Sequence, residues 1–178
     1  MRFPDRNLFS KIESTYATDP TPAGTDAVLT SGLGFSPYMG PTVSFDRNRS
    51  YAGGQQVINT NPHQSVKFDV EIAGSGTATV VPAYSEILRA CGMSVTAASP
   101  LGLGQIYSPI NLSGTVPSIT HWTWTDGQKQ VMNGARGNMS LSLARGQVPR
   151  YSFEFMGRYA RPTYTAVLAA NVTDYANP

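Results

Sequence analysis

The chain has 178 residues, of which 40% are hydrophobic and only 13% are charged, and its formal net charge is +2 at pH 7. This length suits one domain with a core of its own, and low charge with many glycines and prolines favours a turn-rich β protein. The small net charge, without a basic run, argues against nucleic-acid binding. A single cysteine, Cys91, excludes an intramolecular disulfide.

The sequence contains no apolar run of membrane length, and its opening residues lack the apolar core of a signal peptide. We therefore expect a protein made in the cytoplasm that does not use the general secretory route. No membrane partner is expected.

The N-terminal segment is polar and contains Pro4, Pro20 and Pro22. This composition predicts an extended arm over residues 1–25 in preference to a short helix over residues 7–14. The arm is expected to precede a β domain that spans residues 26–160.

Two short strands are predicted next, at residues 26–31 and 42–46, where β-branched side chains are frequent. The second ends in a polar loop, residues 47–62, which contains Gly53-Gly54 and few apolar residues. Such a loop is expected to be mobile in an isolated subunit.

The strongest pattern begins at residue 63. Residues 63–73 alternate strictly, which predicts a strand with one apolar and one charged face. The apolar face carries Val66, Phe68, Val70 and Ile72, and the opposite face carries Lys67, Asp69 and Glu71.

A small-residue bridge, residues 73–77, leads from this strand to a predicted helix over residues 82–91. The helix has one apolar stripe at the spacing i, i+3, i+4, i+7, formed by Tyr84, Ile87, Leu88 and Cys91. Gly92 is placed to end it in a left-handed conformation. A single short helix of this kind covers one face or edge of a sheet.

A meander of about four strands is predicted in the last third of the chain. Asp126-Gly127 is a strong hairpin signal between residues 119–125 and 128–132. The two further strands, residues 138–144 and 148–159, follow turns predicted at residues 134–137 and 145–147. A separate strand is predicted at residues 105–112, and residues 161–178 are expected to form a C-terminal arm.

The sequence offers few groups for catalysis. It contains only two histidines, His63 and His121, on separate predicted strands, and Gly74-Ser75-Gly76 lacks the setting of a nucleophile elbow. We therefore predict no catalytic residues, no metal ligands and no cofactor. Trp122 and Trp124 lie two residues apart and fit either a sugar-stacking platform or packing anchors in a core or interface.

Several phrases resemble the tail tube, or major tail, proteins of long-tailed, siphovirus-type bacteriophages. They occur in the order expected for that family and span most of the chain: residues 11–22, residues 66–74 with 82–84 and 88–93, residues 134–137, and residues 151–159. The ordered set carries the resemblance, because no single phrase is specific by itself.

The resemblance implies a two-sheet β sandwich or half-barrel with one flanking α-helix, extended arms and a long inter-ring loop. It implies hexameric rings that stack into a hollow tube, through which DNA passes without specific binding. The expected partners are other copies of the chain, a tape measure protein, and tail tip and tail terminator proteins. The expected location is the virion, after assembly in the bacterial cytoplasm.

Two sets of residues are candidates for the contacts between rings and for the surface of the lumen. Inter-ring contacts are predicted for the polar loop, at Arg47, Asn48, Arg49, Tyr51, Gln55 and Asn59. Polar lumen-facing positions are predicted at Asp69, Glu71 and Glu154. Two alternatives stay open: a terminator or completion protein of the same tail, and a carbohydrate-binding β-sandwich module that uses Trp122 and Trp124.

Overall fold

The computed structural model describes residues 6–48, 50, 53–76, 80–97, 104–111, 113–125, 128–161 and 163–164. These residues form a mainly β fold with one α-helix. In chain order, the elements are β1 Arg6–Ile12, a 3-10 turn Gly24–Asp26, β2 Ala27–Val28, β3 Ser31–Met39, β4 Thr42–Ser44, β5 Val57–Asn59, β6 His63–Glu71, α1 Ser85–Ala90, β7 Met93–Ala97, β8 Gln105–Pro109, β9 Ile119–Thr125, β10 Gln128–Ser142, β11 Arg150–Arg158 and β12 Thr163–Tyr164.

The main sheet is antiparallel, with strand order β2-β1-β9-β10-β11-β6-β3, and β12 pairs with β10 beside this path. The first part of β10 pairs with β9 and the second part with β11. A register shift at residues 132–136 separates the two pairings. Bulges bend a strand and increase its twist, so the sheet turns at this point and its two halves enclose one core.

Ring contacts across the two halves show how the sheet closes. His121 on β9 lies 4.7 Å from Phe155 on β11 and 5.8 Å from Phe68 on β6, measured between ring centroids. The same core contains Leu8 and Ile119 from the other half of the sheet. The arrangement agrees with the predicted β sandwich with a flanking helix.

The helix α1 packs on this core as the apolar stripe predicts. Tyr84, Ile87 and Leu88 are buried, and Cys91 is half-buried against the same cluster. Gly92 follows with a φ of +85°, the left-handed conformation expected after a helix. The predicted strand at residues 63–73 is confirmed as β6, with Val66, Phe68 and Val70 buried and Lys67 and Glu71 exposed.

The N-terminal arm prediction is wrong for residues 6–12. They form β1, which lies between β2 and β9, and its consecutive residues Leu8 and Phe9 are both buried. Both faces of β1 are covered, so its pattern is a short apolar run rather than an alternation. The β domain therefore begins well before residue 26.

The predicted turn at residues 134–137 is also wrong, because β10 continues through it as the bulge. Gly134 supplies a φ of +64° within this bulge. A Cβ on Gly137 would collide with the carbonyl oxygen of Glu154 on the neighbouring strand. The glycines permit a bend and a close strand approach, so the meander has three strands, β9 to β11.

The other strand predictions differ mainly in their bounds. The strand predicted at residues 26–31 is only β2, the one at 42–46 is β4, and the one at 105–112 is β8. The strand predicted at residues 148–159 is confirmed as β11. The strands β3, β5 and β7 were not predicted; β3 contains two glycines and Pro37, residues that are depleted in strands but tolerated at a sheet edge.

Little of the predicted C-terminal arm lies within the described residues. Thr163–Tyr164 form β12 and pair with Gln128 and Lys129, so this part belongs to the sheet. Residue 162 and residues 165–178 lie outside the described residues.

Candidate functional site

A polar sheet face covers the outer side of four neighbouring strands, β10, β11, β6 and β3. The strand register places its side chains in rows across the sheet, such as Asn138, Glu154, Lys67 and Gly34 in one row, and Ser140, Ser152, Asp69 and Ser31 in the next. The third row contains Ser142, Arg150 and Glu71. The face is rich in serine and carries charges of both signs.

The three predicted lumen residues all lie on this polar sheet face. Glu154 forms an ion pair with Lys67 at 2.7 Å, and Glu71 forms one with Arg150 at 3.4 Å. Asp69 lies between them, opposite Ser152. The structure therefore brings Asp69, Glu71 and Glu154 together, and two of the three carboxylates are balanced by a cation on the neighbouring strand.

A two-stranded ribbon, here called the projecting arm (residues 41–60), contains β4 and β5, which pair with each other and with no other strand of the described chain. Its ladder is continued by the Phe45 N–H, which donates to the Gln56 carbonyl at 2.9 Å. Three aliphatic side chains stay open to solvent on it, with exposed fractions of 49% for Val43, 57% for Val57 and 41% for Ile58. Such a ribbon is marginally stable by itself, so this apolar surface is available to a partner.

The base of the projecting arm is fixed by tight backbone geometry. The Thr60 N–H donates to the Pro41 carbonyl at 2.9 Å and closes the ribbon. Gly40 has a φ of +150°, and a Cβ there would lie 2.5 Å from Asn59 Oδ1. Asn59 therefore belongs to the base of the arm rather than to its tip.

Three of the other predicted contact residues, Arg47, Asn48 and Gln55, lie beyond β4 and β5, towards the tip of the projecting arm. Gln55 Nε2 donates to the Arg47 carbonyl at 3.0 Å, and the Arg47 guanidinium lies 4.7 Å from the ring centroid of Phe45. Asn48 is exposed. Arg49 and Tyr51 lie outside the described residues.

One buried carboxylate, Glu13, was not predicted as part of a site. Glu13 accepts hydrogen bonds from the hydroxyls of Ser118 at 2.5 Å and Thr120 at 2.6 Å, and from the backbone N–H groups of Gly134 at 2.6 Å and Ala17 at 2.7 Å. Burial acts to raise the pKa of Glu13, but these four hydrogen bonds outweigh it and hold the pKa below its ordinary value. The cluster ties the chain after β1 to β9 and to the bulge of β10.

Trp122 and Trp124 do not form an open sugar-stacking platform, because both are buried. Trp124 packs edge-on against Phe9, with 4.8 Å between ring centroids. The Trp122 Nε1–H donates to Asp19 at 3.1 Å, and Lys129 Nζ lies 2.9 Å from its ring centroid. The pair packs the second, smaller core on the outer side of β1 and β9.

His121 is enclosed in the core and cannot reach a substrate in this conformation. Its Nδ1 lies 2.9 Å from the Ser10 hydroxyl, and its ring packs against Phe68 and Phe155. Burial lowers the pKa of His121 to about 3, so the ring is neutral at physiological pH. His63, at the start of β6, contacts the Asn61 carbonyl instead.

The described residues contain no group of three or more His, Cys, Asp or Glu side chains that could hold a metal ion. Within that same part of the chain, no helix is long and apolar enough to span a membrane. Burial raises the pKa of the Cys91 thiol to about 12, which fits its position as a packing residue.

Comparison of the chain with protein-family models and with curated proteins found no match. Its functional assignment therefore depends on the polar sheet face, the projecting arm and the sequence phrases quoted above.

Proposed function

We propose that this chain is the subunit of a bacteriophage tail tube, forming hexameric rings that stack into a hollow conduit for DNA. The observation that carries the proposal is a four-stranded polar sheet face in the same subunit as a two-stranded arm that pairs only with itself. A tube needs both features: a wall along which DNA slides, and a contact to the next ring.

The three rows of the polar sheet face suit the lumen because both of their cations are paired with carboxylates. A DNA duplex is held by uncompensated cations, each of which displaces counterions from the phosphates. Lys67 and Arg150 are instead paired with Glu154 and Glu71. A lumen surface of this kind is hydrated but has little affinity for the DNA that passes through it.

The two ends of the main sheet suit closure into a ring. The order of strands leaves β3 at one end and β2 at the other, each with one unpaired side among the described strands. Exposed strand edges pair readily with other chains, and closure of a ring removes them. Head-to-tail contacts between copies produce closed rings or open filaments, and a stacked tube uses both.

The four sequence phrases behind the resemblance meet in space. Residues 66–71 and 151–159 lie on the adjacent strands β6 and β11, with Val66 opposite Phe155. The phrases at residues 11–22 and 134–137 meet where Glu13 accepts the Gly134 N–H. This supports their interpretation as parts of one framework rather than as separate chance likenesses.

The proposal includes the partners that a tube requires. They are further copies of the chain, a tape measure protein, and tail tip and terminator proteins, in a virion assembled in the bacterial cytoplasm. The chain itself is proposed to be non-enzymatic. Trp122 and Trp124 are buried, so they do not form the exposed sugar-stacking platform that the carbohydrate-binding alternative requires.

Negative-stain microscopy of the purified protein at increasing concentration tests the proposal. We expect long tubes of uniform width. Single rings that never stack would contradict it in favour of a terminator protein, and monomers whose tryptophan fluorescence responds to glycans would favour the carbohydrate module.

A matched variant tests the contribution of the projecting arm to stacking. Replacement of residues 42–59 by two glycines removes β4 and β5 together, because a shorter deletion would leave one strand without its partner. We expect a folded subunit with an unchanged circular dichroism spectrum of the main sheet but no tubes. Normal tubes from this variant would contradict the inter-ring role of the arm.

A further inference from the structure

An apolar groove lies between the chain around β2 and the connector that leads from β6 to α1. Its volume is about 310 Å³. Three aliphatic side chains line it and remain open to solvent, with exposed fractions of 46% for Leu29, 52% for Val80 and 46% for Val81. The Ser75 hydroxyl donates to the Val80 carbonyl at 2.8 Å and helps to hold the connector in place.

The groove is acidic and borders an open strand edge. Its described lining includes the carboxylates of Asp26 and Glu86 and no lysine or arginine. Lys11, outside the lining, pairs with Asp26 at 3.1 Å, so Glu86 is left as the negative charge that no ion pair among the described residues balances. One wall is β2, the terminal strand of the main sheet in the described chain. The groove therefore offers an apolar floor and one carboxylate, from Glu86, that is not paired with a cation in the described residues.

The projecting arm has complementary properties. The register of β4 and β5 places Val43 opposite Ile58 on one face, and the alternation of side chains puts Phe45 on the same face. Residues 41–60 contain Arg47, Arg49 and Asp46, so two positive charges and one negative charge give a net charge of +1. A short two-stranded ribbon with an apolar face and a net positive charge matches the groove in polarity and in charge.

We propose that the projecting arm of one copy docks in the apolar groove of a second copy, with Val43 and Ile58 facing Leu29, Val80 and Val81. This inference rests on the proposed function, since it names the surface that receives the arm between rings.

Cross-linking between two single-cysteine variants tests the contact directly. Both variants carry Cys91→Ala; one adds Ile58→Cys and the other Val81→Cys, so a disulfide between positions 58 and 81 must join two copies. The matched control replaces Val81→Cys with Ile106→Cys, at an exposed aliphatic residue outside the groove lining. In mixed tubes under mild oxidation, we expect disulfide dimers for the 58–81 pair and few for the 58–106 pair.

A second variant does not depend on disulfide geometry. Val81→Arg places a bulky charge in the apolar groove and should lower the amount of sedimentable tube about tenfold or more, which corresponds to roughly 1.4 kcal/mol or more per contact. Ile106→Arg is the matched control and should leave tube formation unchanged.

The outcomes separate the two proposals. Tubes from the wild-type chain together with normal tubes from Val81→Arg, or with no preference for the 58–81 disulfide, would overturn the groove as the receiving surface and leave the tube function standing. A wild-type chain that forms no tubes at any concentration would overturn the tube function and this inference together.

Discussion

The strand β9 and the projecting arm differ strongly in burial and in the number of strands that they pair with. Residues 119–124 of β9 are all buried, because the large core covers one face and the second, smaller core covers the other. The strands β4 and β5 are almost entirely exposed and pair only with each other. The comparison indicates that β9 and its neighbours carry the stability of the fold, whereas the arm contributes little to it and leaves its surface open to solvent.

The largest expected effect on this comparison comes from Trp124→Ala. The side chain is buried against Phe9, and large-to-small changes at such sites cost about 3–5 kcal/mol of the free energy of unfolding. The control is Val57→Ala on the projecting arm, which should change that free energy by less than about 0.5 kcal/mol. Urea unfolding measures both, and equal losses would contradict the division of roles.

Acidification should produce the next largest effect. Burial lowers the pKa of His121 from its ordinary value of 6.5 to about 3. Between pH 6.5 and pH 3, the unfolded chain therefore binds a proton at His121 that the folded chain does not bind. The free energy of unfolding should therefore fall as the pH is lowered from 6.5 towards 3. The pKa of Glu13 is lowered as well, so its stabilisation is lost below its ordinary value of 4.5.

Thermal unfolding from pH 7 to pH 4 measures this dependence in the wild type and in His121→Phe. The apolar ring cannot titrate, so the variant should show a shallower loss between pH 6.5 and pH 4.5. An identical slope in the two proteins would contradict the role given to His121.

Glu13→Gln should have an intermediate effect. An amide cannot accept four hydrogen bonds as the carboxylate does, and its NH₂ group would face donors such as the Gly134 N–H. Leaving buried donors unsatisfied costs about 1–3 kcal/mol. Glu154→Gln, in an exposed ion pair with Lys67, is the control and should cost about 1 kcal/mol or less in urea unfolding. Similar losses in the free energy of unfolding would show that the buried Glu13 cluster stabilises the fold no more than an exposed ion pair does.

The smallest effect on stability is expected for the double variant Glu71→Lys and Glu154→Lys, which tests the polar sheet face instead. Both side chains are exposed, so folding and tube formation should persist. The lumen would gain uncompensated cations, and tubes should then retain duplex DNA at low salt and release it at high salt. Filter binding measures this retention, and wild-type tubes serve as the control. Equal retention by both would contradict the lumen position of this face.

The strand β6 and the helix α1 could be predicted from the sequence because each has one buried and one exposed side. The alternation from Val66 to Glu71 and the stripe from Tyr84 to Cys91 record that asymmetry directly. The hairpin of β9 and β10 was predicted from a local signal, Asp126-Gly127, between two β-rich stretches. These patterns are local and need no knowledge of distant residues.

The missed features depend on distant parts of the chain. The polar and proline-containing neighbourhood of β1 suggests an arm, and only its pairing with β9 makes it a strand. Similarly, the sequence does not distinguish Glu13 from the other acidic residues. Its burial depends on Ser118, Thr120 and Gly134, which are distant in the chain and donate hydrogen bonds to it. The part of the projecting arm from residue 47 onwards was predicted as a polar loop, because its aliphatic residues are few and pair only with the other strand of the arm.

The position of β1 in the sheet has a consequence for synthesis on the ribosome. Ser10 and its partner His121 are 111 residues apart in the chain, and before β9 emerges β1 can pair only with the two residues of β2. The strand β1 therefore leaves the exit tunnel long before its main partner is synthesised. Closure of the sheet between β1 and β9 is thus a late folding event with high contact order.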